Sequence, residues 1–146
     1  MRLIKTLAGI IAVMLLIAGC KKSSEVSNTS FEGTWGLRQV YGDIGTINYP
    51  AGNNSTLTFK AGAYTNRDTT KGVTRHPTGT YMIVSDNSAE ASTGFNIKDG
   101  QFTNRLILDN DPSAQKIFIQ ITNNNLVLLT GYFPTDGGVQ LTYVKN

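Results

Sequence analysis

The chain has one cysteine, one histidine and one tryptophan in 146 residues, and only 16% of it is charged. Each scarcity removes a class of chemistry. A lone cysteine, Cys20, leaves no intramolecular disulfide. With His76 as the one histidine, a zinc centre has too few nitrogen and sulfur ligands. A Ser-His-Asp triad would have to be built on that same residue. No Gly-x-Ser-x-Gly surrounds any serine, and no phosphate- or dinucleotide-binding glycine pattern occurs. Asp109-Asn110-Asp111 begins like a calcium loop, but Pro112 follows and the later glycine and glutamate are missing, so it reads as a turn. Asp99 and Asp136 would be candidates for a carboxylate pair, but each sits beside a glycine in a turn. The residues therefore describe a protein that is not an enzyme, with no metal and no cofactor expected.

What is present begins at the N-terminus. Arg2 and Lys5 precede an apolar run over residues 7–18. That run falls short of the roughly 20 residues of a membrane-spanning helix. A basic start, a short apolar stretch and small residues after it form an export signal over residues 1–19. Ile17-Ala18-Gly19-Cys20 resembles the lipobox of bacterial lipoproteins. The resemblance implies that Cys20 is acylated, with a chain such as palmitate, and becomes the first residue of the mature protein. Its partner would then be a membrane, reached through a lipid anchor. Removing Arg2 and Lys5 leaves 13 − 2 = 11 bases against 10 acids, a net charge of +1. Nucleic acid is not expected, because it wants a clustered basic face. Residues 20–30 are polar and serine-rich and read as a lipidated flexible tether. No acidic cluster follows Cys20 of the kind that resembles a surface-export signal. The expected location is the outer membrane, facing the periplasm.

Residues 31–146 form one domain's length of chain, rich in glycine, threonine and asparagine. Alternating apolar residues mark short strands. Trp35, Leu37, Gln39 and Tyr41 share one face. Leu57 and Phe59 point inward before an Ala61-Gly62 hairpin turn, and Tyr64 packs on the return strand. Tyr81 and Ile83 alternate with Met82 and Val84. Residues 93–98, with Phe95 and Ile97, read as a strand leading into a type I′ turn at Asp99-Gly100. Leu106 and Leu108 lie opposite Ile107. Ile117, Ile119 and Ile121 share a face, then Leu126 and Leu128, then Leu141 and Tyr143. About nine short strands with turns every eight to twelve residues indicate a sandwich or a barrel.

Gly33-Thr34-Trp35 opens the first strand and resembles the Gly-x-Trp motif of lipocalins and bacterial lipocalin-like lipoproteins. The resemblance implies an all-β, antiparallel up-and-down barrel of about eight to nine strands, with Gly33 and Trp35 as a structural motif at its closed end. It departs from that pattern at the C-terminus, where Lys145 is the only basic residue near the place of an arginine that stacks on the motif tryptophan. Nine strands would also put Lys145 at the opposite end from Trp35.

Two functions follow. The first is a binding module for a small hydrophobic ligand, with Leu57, Phe59, Tyr64, Tyr81 and Ile83 as wall residues. Its mouth would be formed by residues 42–54 and 66–78, with Ile44, Ile47 and Tyr49 as a lid and Arg75 as a polar contact. The second is a non-enzymatic envelope protein with a filled barrel that interacts through its loops. A monomer is expected in either case.

Overall fold

The computed structural model describes residues 31–69, 74–89, 97–132 and 136–146; Cys20, the tether over 20–30 and the part of the expected strand at 93–96 with Phe95 lie outside these. Nine strands follow one another: β1 (Gly33–Gly42), β2 (Gly45–Asn48), β3 (Thr56–Lys60), β4 (Ala63–Arg67), β5 (Thr78–Ser85), β6 (Asn104–Leu108), β7 (Ile117–Thr122), β8 (Asn125–Tyr132) and β9 (Asp136–Lys145). From β3 to β9 each strand pairs antiparallel with the next, and β1 pairs with both β3 and β9. Eight strands thus close into an up-and-down barrel, as the sequence pattern indicated. Closure removes most of the open edge that a sheet would otherwise present.

Nine strands are named among the described residues, and one of them lies where the alternation put none. Ile97 takes no part in a named strand, and the extra strand is β2, inside the segment expected to be a loop. β1 explains this. Its first half pairs with β3 through Gly33–Gly36, and its second half pairs with β2 through Gln39–Gly42. β2 therefore extends the same edge of β1 beyond the point where β3 leaves it. Three polar or small residues and one isoleucine, Gly45-Thr46-Ile47-Asn48, carry too short a pattern to reveal a strand.

The period of two also breaks inside β1. Leu37 pairs with Tyr143 and Gln39 with Thr142, so Arg38 is an extra residue on this strand. Such a bulge moves every later side chain to the other face. Val40 accordingly packs on the core, whereas Gln39 donates to Asn48 Oδ1 at 2.9 Å on the exposed side. Gln39 and Tyr41, expected on the Trp35 face, belong to the opposite one.

Turn chemistry needs one correction. Ala61 and Gly62 both have positive φ, 49° and 79°, as a type I′ hairpin turn requires. At Asp99-Gly100 only the glycine is left-handed, at 71°, and Gln101 N donates to Lys98 O at 3.0 Å. This is a turn within the connection from β5 to β6, not a tight hairpin. Asp109 and Asn110 instead form a left-handed pair, at 53° and 55°, closed by Asp111 N donating to Leu108 O at 3.1 Å. Asp and Asn tolerate that conformation better than other side chains with a Cβ.

Two apolar clusters result. The inner one holds Phe31, Trp35, Leu37, Leu57, Phe59 and Tyr64 together with residues of β6 to β9. Each fully buried side chain of this size stabilises by about 1.5–3 kcal/mol relative to exposure. The second cluster, Ile97, Phe102, Phe118 and Leu129, lies outside the barrel wall. Phe118 and Leu129 are cross-strand partners, and their neighbours Ile119 and Leu128 face inward. β7 and β8 are thus apolar on both faces, and residues 97–102 of the β5–β6 connection cover the outer one.

Candidate functional site

Trp35 sits at one end of the barrel with no exposed surface, and its indole Nε1 donates to the Phe31 carbonyl at 2.9 Å. Nine strands follow in the chain, but β2 and β3 both run antiparallel to β1, so only eight alternate around the barrel and the last ends beside the first. Lys145 is therefore the residue directly opposite Trp35, with its ammonium 5.1 Å from the ring centroid. A cation over an indole face is attracted by the ring quadrupole. Gly33 makes room for it. Gly33 has φ of 135°, and a Cβ there would come within 2.8 Å of Lys145 Cε. The Gly-x-Trp motif thus has a local cause in this chain, and the expected separation of Lys145 from Trp35 is corrected.

Against Trp35 lies a set of rings. Phe31 and Phe59 have centroids 4.1 Å apart, Phe31 and Tyr81 5.4 Å, and Phe59 and Tyr81 4.9 Å. Leu57 is buried in the same cluster, with Tyr81 and Ile83 packed on it. Of the residues expected to wall a ligand pocket, Leu57, Phe59, Tyr81 and Ile83 fill the interior with one another. Tyr64 has a different task. Its hydroxyl donates to Asp109 Oδ2 at 3.0 Å, while Asp109 Oδ1 accepts from Thr80 N at 3.0 Å. Burial raises the Tyr64 pKa above its ordinary value, and the Asp109 carboxylate raises it further.

At the opposite end polar contacts join two connections. Asn53 Nδ2 donates to Leu37 O at 2.7 Å, Thr69 Oγ1 donates to Asn53 O at 3.0 Å, and Ser55 and Thr69 hydroxyls meet at 3.0 Å. These bonds tie the β2–β3 connection to the start of the β4–β5 connection. Tyr49 packs on the core here, but Ile44 is 90% exposed and Ile47 43%. Ile44 and Ile47 are therefore on a projecting β1–β2 hairpin and not on a lid. Arg75 is exposed and pairs through its backbone with Asp68. Burial, and secondarily the Asp68 charge, push the Tyr143 hydroxyl up to about 12.

An open cavity does occur, on the other side of this end. The β6–β7 ladder stops at the pair Leu106 and Ile117, and the strands part beyond it. The gap is a cleft of about 300 Å³ lined by Leu106, Leu108, Ile117, Thr130, Arg105, Gln115 and the 111–114 turn. Leu106, Ile117 and Thr130 are successive cross-strand partners and share the inward face. No wall residue expected from the sequence lines it. The signal that could have found it is the Asp-Asn-Asp-Pro turn, which holds residues 109–116 away from both strands.

Beside the cleft, Asp86 anchors the β5–β6 connection. It accepts from Ser88 N at 2.9 Å and Ser88 Oγ at 2.6 Å, and Lys116 Nζ lies 3.1 Å from Oδ2. Burial alone would raise its pKa, but these donors and the Lys116 charge outweigh it and hold the carboxyl at about 2. Arg105 Nε faces the same oxygen at 3.6 Å, an ion pair too long for a hydrogen bond.

Among the described residues no three Asp, Glu, His or Cys side chains come together to hold a metal. Asp99 and Asp136 belong to opposite ends of the barrel, since one lies in the β5–β6 connection and the other starts β9. Comparison with protein families, with curated proteins and with solved structures finds no match for this chain.

Proposed function

We propose that this chain is a lipid-anchored, non-catalytic lipoprotein of the cell envelope, a lipocalin-like barrel with a filled interior that works through its surface. The observation that carries the reading is the ring cluster of Phe31, Phe59 and Tyr81 beside Trp35, which occupies the space a ligand-binding barrel keeps open. The anchor rests on the lipobox at Cys20. Phe31 enters the barrel at the Trp35 end, so a membrane attached through Cys20 would face that end. Eleven residues over 20–30 reach at most about 36–40 Å. The exposed Ile44 and Ile47 hairpin then points away from the membrane, toward soluble partners. Outer-membrane attachment on the periplasmic side and a monomeric state belong to the same proposal.

Binding of a small hydrophobic ligand is the second reading, and the cleft between β6 and β7 favours it. A detergent phase separation tests the anchor. The native protein is expected in the detergent phase and Cys20→Ala in the aqueous phase or uncleaved. Native protein in the aqueous phase would contradict the anchor whatever the barrel holds.

A further inference from the structure

We propose that the cleft between β6 and β7 is a binding site for a small amphiphile with one anionic head, entering between the two strands where their ladder stops. The inference does not depend on the lipid anchor. Its volume, about 300 Å³, is roughly twice that of an engineered apolar cavity that admits benzene. Such a space holds a chain of roughly ten carbon atoms by the same measure. Leu106, Leu108 and Ile117 supply the apolar wall, and Thr130 completes the inward face. Leu108 and Ile117 are only half-buried; Leu108 pairs with Tyr81 of β5 but has no cross-strand partner in β7, where the ladder has stopped.

The charges choose the head group. Arg105 lines the cleft, and Lys116 lies on the same outer side, over the Phe118 ring at 5.8 Å. Both cations face one carboxylate, Asp86, at 3.6 Å and 3.1 Å. That cluster carries two positive charges against one negative, and Arg105 is the member of it, and the only cation among the described residues, that lines the cleft. Asp111 also lines it, but its fully exposed carboxylate accepts from Ser113 N at 3.0 Å and from Ser113 Oγ and is screened by water. Asp109 points the other way, to Tyr64 and Thr80. A carboxylate beside Arg105 would gain an attraction that a neutral head of equal length lacks.

Decanoate and decanol are the probes, followed by chemical shifts of the side-chain methyls and amides of the whole mature protein. Decanoate is expected to give saturable shifts at Leu106, Leu108, Ile117 and Thr130, and to bind several-fold more tightly than decanol. Gln115→Glu, an exposed change on the rim, is expected to weaken decanoate several-fold more than decanol. Thr130→Phe is expected to fill the cleft and abolish both. Equal binding of the two probes, or an indifferent Gln115→Glu, would overturn the anionic preference. Absence of saturable shifts would overturn the site alone. Shifts centred on Phe59 and Tyr81 would overturn both the site and the filled interior.

Discussion

Trp35 is the residue on which the closed end depends. Its ring is fully buried, its Nε1 is satisfied by Phe31, and Lys145 covers its face. Replacing it by alanine removes a large side chain from a core that cannot fully collapse around the loss. Trp35→Ala is expected to cost about 3–5 kcal/mol, read from urea or guanidinium unfolding of the isolated domain. A loss below about 1 kcal/mol would show that the ring is not packed as described. Tyr143 offers a second check at this scale. Its hydroxyl titrates near 12, above the ordinary value of 10.0. A raised pKa means that the folded state keeps its proton while the unfolded state loses it. Stability is therefore unaffected below pH 10 and falls between about 10 and 12, by roughly 2–3 kcal/mol from this group. Ultraviolet titration of tyrosinate should show an ionisation step near pH 12, and Tyr143→Phe should remove that step.

At the scale of elements, the strands with strict alternation were legible and the irregular ones were not. β3, β5, β7 and β8 place the expected side chains inward, because their pairing keeps a steady period of two. β1 misled beyond Arg38, since a bulge is a property of the β1–β9 pair and leaves no mark on one strand. β2 was missed because partner geometry, and not its own residues, makes it a strand. The apolar outer face of β7 and β8, with Phe118, Val127 and Leu129, was visible in the sequence but demanded a cover that only the fold identifies. That cover depends on Asp86. Its carboxyl, held at about 2, contributes stability above pH 3.8 that is lost as pH falls toward 2. Asp86→Asn is expected to destabilise the domain by about 1–3 kcal/mol and to raise hydrogen exchange at Phe102. Unchanged exchange there would mean that the connection is held by its apolar contacts alone.

For the whole molecule, the barrel was readable because its turns and alternation repeat, whereas the candidate site was not. Leu57, Phe59, Tyr81 and Ile83 were legible as inward-facing, but inward is equally the direction of a wall and of a core. Distances between rings separate the two, and a sequence carries none. The cleft arises where β6 and β7 part, from residues 105–117 that individually read as strand and turn. The central claim is that the Trp35 half of the barrel is filled, and the single tryptophan makes it measurable. A brominated fatty acid quenches indole fluorescence only on contact. Titrated into the mature protein, it should leave a blue-shifted Trp35 emission unquenched, even where it binds the distant cleft. Saturable quenching of Trp35 would place an acyl chain among Phe31, Phe59 and Tyr81 and contradict the account.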